Sequence, residues 1–322
     1  MRRLASVAVG VAAGLVLAVV PGAGGATAVT PYDGRLVAVV DQDTSDFSAA
    51  RVRVMDPAVK DWSRAEAQKW EWHPTGENGF GELAAGWGAP SDVKLRRERG
   101  GRAVVLVTDS LGLAGVMSYP GGRRIWGVNL SSQPNLHSAE LLPDGNVALA
   151  ATRGGFVRVY SASQGSSSVS YAEFALPRAH GVQWDPVRKL LWALGDTTVV
   201  ALKVGGTAAA PTLAPERTVA LPSPGGHDLT PVLGDPDRLW ISTTSFVYQF
   251  SKSTGKFMST HDWPDVRSVG STPRGQVVRT SPAPDCATSW CTDTVTFSGP
   301  DFTRTLPGAE IYKARVWSYR YL

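Results

Sequence analysis

The sequence predicts an all-β fold, a six-bladed β-propeller in which a C-terminal strand completes the N-terminal blade. Three observations carry this expectation. The chain repeats itself at intervals near 43 residues. Each copy reads as short apolar, β-rich runs separated by Gly, Pro and Asp turns. No window shows the 3.6-residue apolar spacing of a helix of useful length.

The first 28 residues stand outside the repeat. Arg2 and Arg3, an apolar run broken by Gly10 and Gly14, and Ala26-Thr27-Ala28 make a secretory signal with an A-x-A-like cleavage site. The expectation is a secreted, extracellular protein whose residues 29–322 form a single propeller domain with no retained membrane span. An uncleaved anchor is the alternative. Cys286 and Cys291 are the two cysteines, and in an oxidising compartment they should close a small structural disulfide rather than a metal or redox pair. The formal charge is +4, falling to +2 without Arg2 and Arg3, so neither a broad polyanion surface nor a nucleic-acid stripe is indicated. No Gly-x-Ser-x-Gly elbow and no P-loop is present.

Residues 35–40, 51–55 and 68–72 read as the second, third and fourth strands of a unit that lacks its first. Residues 312–317 supply it, so the two termini share a blade and no sheet edge stays open. The second unit contains Lys94 and the runs 102–107 and 113–117. The third runs from His137 through the turn Pro143-Asp144-Gly145-Asn146 to 147–151, 156–160 and 168–176. At that turn Pro sets φ and Gly accepts φ > 0. The fourth starts at His180 and continues with 190–194 and 198–203; the fifth starts at His227, with 238–242 and 245–250. The sixth starts at Arg267, with 276–279 and 294–297.

One position of the repeat carries chemistry. His137, His180 and His227 fall 43 and 47 residues apart, and a similar stride reaches Lys94 backwards and Arg267 and Lys313 forwards. Strands alternate in direction, so the start of a first strand and the end of a second share one face. Six basic residues are therefore expected to ring one mouth of the channel. Asp41, Asp109, Asp196, the cysteine loop and the Gly-rich stretch 73–92 belong to the same face, and the length of that stretch suggests a lid.

Three histidines from adjacent units provide enough nitrogen ligands for a divalent metal with positions left open. Glu140 and Asp228 are carboxylates placed to orient those imidazoles. Lys94, Arg267 and Lys313 suit a carboxylate, sulfate or phosphate. Trp72, Trp87 and Trp184 are candidates to stack on a sugar ring, while Trp192 and Trp240 should pack between blades. The same positions admit a plainer role, in which a polar residue at a strand start bonds only the next blade's backbone.

The runs from Asn135 to Asn146, Ala179 to Asp185, Gly225 to Pro231 and Tyr312 to Trp317 resemble a family of secreted bacterial propellers, common in actinobacteria, of unknown function. The resemblance covers essentially the whole chain after the signal and implies the propeller and export. In architecture alone the chain is similar to oligogalacturonate lyases, usually seven-bladed, whose channel holds a metal on histidines. The resulting expectation is a secreted, monomeric propeller that binds an anionic small molecule or oligosaccharide at the channel mouth. As an enzyme it would be a metal-assisted lyase on an oligouronate, with a Lys or Arg of the ring removing or relaying the α-proton. A non-catalytic binding or interaction module is the alternative.

Overall fold

The structure, a computed structural model, describes residues 34–322; the signal-like segment lies outside the described residues. Six four-stranded antiparallel sheets surround one channel. Blade 1 is β1 (Val37–Gln42), β2 (Arg51–Met55) and β3 (Gln68–Trp72), with β24 (Glu310–Val316) on its inner edge. Blade 2 is β4 (Pro90–Arg97), β5 (Ala103–Asp109), β6 (Leu113–Ser118) and β7 (Arg124–Asn129). Blade 3 is β8 (Leu136–Leu141), β9 (Val147–Ala151), β10 (Phe156–Tyr160) and β11 (Tyr171–Ala175). Blade 4 is β12 (Gly181–Asp185), β13 (Leu190–Leu194), β14 (Thr198–Gly206) and β15 (Pro211–Ala220). Blade 5 is β16 (Asp228–Pro231), β17 (Arg238–Ser242), β18 (Val247–Ser251) and β19 (Lys256–His261). Blade 6 is β20 (Ser268–Ser271), β21 (Val277–Thr280), β22 (Thr294–Ser298) and β23 (Phe302–Thr305).

The first strands touch in a closed circle, β24 to β4, β8, β12, β16, β20 and back to β24. Burial follows the radial position of each strand. β8 and β12 are buried along their whole length, whereas the outermost β11 and β15 largely alternate between half-buried and exposed residues. Apolar side chains fill the gaps between sheets: Val104, Leu106 and Trp126 of blade 2 pack with Leu136, Leu141 and Leu149 of blade 3. Trp192 packs with Leu229 and Leu239 of the next blade, and Trp240 donates its indole N–H to Ser271 Oγ at 3.0 Å.

The stretch 73–92 is not a lid. Phe80 and Trp87 are buried in the apolar core with Trp72, and the rings of Trp72 and Trp87 meet edge to face at 5.2 Å. Gly115 and Gly127 leave the space Phe80 fills, because a Cβ on either would lie 2.6 or 3.2 Å from its ring. Burial of this ring is the physical reason the segment is held against blade 2, and Ala89 is its residue in the lining of the mouth cavity. Among the described residues no helix is long and apolar enough to cross a membrane.

The channel is packed with charge rather than open. Arg315 bridges Asp92 (2.7 Å) and Asp228 (2.6 Å), Lys313 pairs with Asp228 (3.1 Å), and Arg96 grips Glu140 through two bonds of 2.7 Å. Lys94 donates to Val182 O at 2.5 Å and lies 3.5 Å from Glu140. Burial works against the charge of Asp228, yet Arg315 and Lys313 hold its carboxyl below the usual range. Four cations face three carboxylates, so the plug retains one positive charge. The far end is covered by the last residues of the chain: Gln183 donates to Tyr321 O at 3.1 Å, Tyr321 Oη donates to Leu141 O at 3.1 Å, and Arg96 lies over the Tyr321 ring.

Removing one member of a fully buried ion network strands its partners. Asp228→Ala should lower stability by about 3–5 kcal/mol, whereas Glu71→Ala, which loses the part-exposed pair with Arg53, should cost under about 1 kcal/mol. Urea unfolding of both variants measures the difference, and equal losses would contradict the buried-plug assignment.

Candidate functional site

The repeat position occupied by the histidines is set by hydrogen bonding at the mouth. The backbone N–H groups of His180, His227 and Arg267 donate to Leu194, Ser242 and Thr280, the last residues of their second strands, at 2.8, 2.8 and 2.9 Å. In the other three blades the first strand carries one extra residue at this level. The register skips between Pro90 and Asp92, between Leu136 and Ser138, and between the partners of Val40 and Asp41. The extra residues are Ser91, His137 and Tyr312. A bulge of this kind inserts one unpaired residue and re-aims its side chain. The six equivalent positions are therefore Ser91, His137, His180, His227, Arg267 and Tyr312.

This corrects the ring expected from the sequence. Lys94 and Lys313 are not at the mouth; they lie deeper, in the ion plug. Glu140 and Asp228 do not orient imidazoles, because both are engaged by Arg and Lys of the same plug. Arg267 is at the mouth as expected. Trp184 packs in the core between blades 3 and 4, and Trp72 and Trp87 donate their indole N–H groups to Gly122 O and Ala50 O. None of these three tryptophans lines the mouth cavity.

The plainer role foreseen for the histidines falls to their neighbours. Ser138 Oγ, Asp228 Oδ2 and Ser268 Oγ accept the backbone N–H groups of Val182, Val269 and Ala314 from the next blade at 3.4, 2.9 and 2.9 Å. With the blades stitched one residue inward, the residues at the mouth are released from that duty.

The mouth opens into a cavity of about 900 Å³. Its floor is His137, His180, His227, Arg267 and Tyr312, and its wall includes Arg153, Arg178, Phe47 and Trp290. Among the described residues no Asp or Glu lines it. Arg178 pairs at 3.2 Å with Asp196, outside the lining, and Arg153 donates to Ser132 O at 2.9 Å. Arg267 is half-buried, and its Nε is buried without a hydrogen-bond partner.

The three imidazoles form a row. Adjacent ring centroids are 4.3 Å and 4.2 Å apart and nearly perpendicular. His180 Nε2 lies 2.7 Å from His227 Nδ1 and 3.3 Å from Tyr312 Oη, while His180 Nδ1 is buried without a partner. A metal held by three histidines needs one nitrogen of each turned to a common point about 2 Å away. Here two of those nitrogens face each other, and no group of three His, Cys, Asp or Glu among the described residues is placed to hold a metal ion. His180 and His227 form a hydrogen-bonded pair, His137 packs edge to face on His180 with its Nδ1 3.2 Å from Asn135 O, and this geometry does not fit a metal cage.

Burial pushes the His137 imidazole down to about 3, helped by the Lys313 charge beneath it. Burial also holds His180 and His227 well below the ordinary value, with His227 and Lys313 respectively as the next causes. All three are neutral at neutral pH, so each offers one N–H donor and one bare nitrogen.

The cysteine loop lies on the mouth face, as expected, and Cys286 and Cys291 form the disulfide. Sequence reasoning missed Tyr312, Arg153, Arg178, Phe47 and Trp290. Tyr312 had a usable signal, since it immediately precedes the residue chosen in its repeat. The other four lie in turns between strands, where no periodicity marks them.

The chain belongs to DUF6528, described as a family of unknown function. The match covers residues 51–320. None of the curated proteins compared with this DUF6528 chain matches it. Among solved structures it is similar to a protein of unknown function from Bacteroides caccae, with 12% identity and a TM-score of 0.54 over 87% of this chain and 97% of that one. It is also similar to hydrazine synthase from Kuenenia stuttgartiensis, with 13% identity and a TM-score of 0.47 over 67% of this chain and 65% of that one. A streptogramin B lyase structure gives 12% identity and a TM-score of 0.45 over 69% and 70%. At 12% identity the likeness to the Bacteroides caccae protein is one of fold.

The row of neutral histidines makes stability depend on pH. Unfolded histidines take up protons near pH 6.5, while those in the fold resist, so the unfolded state gains protons first as pH falls. Stability is full above about pH 7 and drops below it, by up to about 1.4 kcal/mol per histidine per pH unit. The thermal midpoint should fall between pH 7.5 and 5.5, and the fall should shrink in a His137→Asn/His180→Asn/His227→Asn variant. A wild-type midpoint that stays constant over that interval would contradict the buried-neutral assignment.

Proposed function

We propose that this chain is an exported binding protein whose mouth cavity takes an acid-bearing carbohydrate, with the acid group against Arg267 and the histidine row. The supporting observation is a donor-rich lining with little counter-charge: Arg153, Arg267 and three neutral histidines line the cavity, Arg178 beside them is paired with Asp196, and no carboxylate among the described residues lines it. Arg267 has an orphaned buried Nε, and the plug beneath carries a surplus cation. An Arg Nε–H buried without an acceptor is unfavourable unless a ligand supplies one. The neutral imidazoles add N–H donors that hydrogen-bond an oxyanion or a sugar hydroxyl.

The disulfide supports the export reading, since such bonds persist in oxidising compartments. Binding is favoured over elimination by the positions of the expected bases. Lys94 and Lys313 are buried under the floor and engaged by carboxylates, so neither reaches a substrate in the cavity. No step through a metal is part of this reading.

Calorimetric titration with oligogalacturonate and with a neutral oligosaccharide tests it. The acidic ligand should bind and the neutral one should not, and Arg267→Ala should weaken binding about tenfold or more, as expected for a lost charge-assisted contact. Chelator should leave the affinity unchanged; loss of binding on chelation would restore the metal reading. Equal affinity for the neutral sugar, or an unchanged Arg267→Ala variant, would sink the proposal.

A further inference from the structure

Two large apolar side chains on the wall of the mouth cavity stay in water. Trp290 is 42% exposed and Phe47 is 47% exposed. Leaving aromatic surface hydrated is unfavourable, yet the fold fixes Trp290 there by several means. Its indole N–H donates to Gln42 Oε1 at 3.0 Å, and Gln42 Nε2 in turn donates to Pro90 O at 3.0 Å, so the ring edge is anchored. On one side of it Cys291 is fully buried and disulfide-bonded to Cys286, with a Cα–Cα distance of 5.8 Å. Beyond that, Thr292 pairs with Ile311 of β24, and Ala283 N donates to Cys291 O at 2.9 Å. The loop between β21 and β22 is thus closed across its base, and Trp290 projects from it with its polar atom already used.

The placement around the ring gives the cavity two unlike walls. Trp290 belongs to blade 6 and Phe47 to the β1–β2 turn of blade 1. Arg153 follows the second strand of blade 3, and Arg178 precedes the first strand of blade 4. In a six-membered ring, blades 3 and 4 stand opposite blades 6 and 1. An aromatic wall therefore faces a guanidinium wall across a floor of Arg267, imidazoles and a tyrosine. A ligand that satisfies both must present an acid group on one side and a flat, C–H-rich face on the other.

We infer that Trp290, held by the disulfide-closed loop, is the platform that reads the ring of the ligand, and that the site thereby selects an acidic pyranose over a bare anion. This rests on the anion-binding reading of the mouth. Trp290 determines specificity, while Arg267 supplies affinity for the acid group. The disulfide has a functional consequence in this arrangement, because it fixes the position of the platform rather than the stability of the whole domain; the ring it closes is small.

The test separates the two assignments by using two ligands, oligogalacturonate and inorganic sulfate. Trp290→Ala should weaken oligogalacturonate about tenfold and leave sulfate unchanged, in keeping with the usual worth of an aromatic stacking contact. Trp290→Phe should recover most of the lost affinity. Cys286→Ser/Cys291→Ser should behave like Trp290→Ala towards oligogalacturonate while retaining sulfate binding, which shows that the fold survives. In the wild type, quenching of tryptophan fluorescence by oligogalacturonate should disappear with Trp290. If Trp290→Ala changes neither ligand, or weakens both alike, the platform assignment is overturned while the anion site stands. If Arg267→Ala changes neither, or the wild type binds neither, the anion reading falls and this inference falls with it.

Discussion

Ring closure by β24 is the constraint on which the other features depend. The C-terminal strand pairs with β1 from Val316 opposite Val37 to Glu310 opposite Gln42, and so converts an open stack of sheets into a ring without free inner edges. The same strand delivers Lys313 and Arg315 to the channel, where they neutralise Asp92 and Asp228, and it places Tyr312 in the floor of the mouth. Ring, plug and floor are therefore coupled. A carboxylate such as Asp228 is tolerable at full burial only because cations from the C-terminal strand reach it.

That plug also explains why the mouth is a pocket and not a pore. Ion pairs fill the middle of the channel and the tail at residues 318–322 covers its far end, so the mouth cavity is open on one side only. The surplus cation in the plug, with Arg267 above it, gives the floor a positive bias that the cavity wall does not cancel. Neutral imidazoles between these charges keep donors available without adding repulsion. The stitching of blades by Ser138, Asp228 and Ser268 is what leaves the adjacent mouth residues free for this arrangement.

Much of the architecture was legible in the residues. The alternation of apolar runs and turns located most strands within a few residues, and the incomplete first unit pointed to closure by the C-terminus. Direction alternation then placed the histidines and the cysteine loop on one face. The ring of six basic residues was legible only in part, because a fixed stride assumes equal strand lengths. The equivalent mouth positions are in fact 40 to 47 residues apart, so a 43-residue step back from His137 lands on Lys94, three residues past Ser91, and the bulge at Tyr312 makes the forward stride land one residue late, on Lys313; both lysines belong to the plug. The tryptophans show the same limit: Trp72, Trp87 and Trp184 were plausible platforms by residue type, yet each is buried between elements.

The sequence by itself determined the blade count, the closing strand, the disulfide and the face that gathers polar chemistry, because these follow from periodicity and from chain direction. Tertiary structure alone decided which cations are spent on buried carboxylates and which remain uncompensated, since that depends on contacts between residues up to 223 positions apart. It also decided that the aromatic wall is Trp290 and Phe47, two turn residues whose exposure is set by the packing around them and by no pattern in the chain.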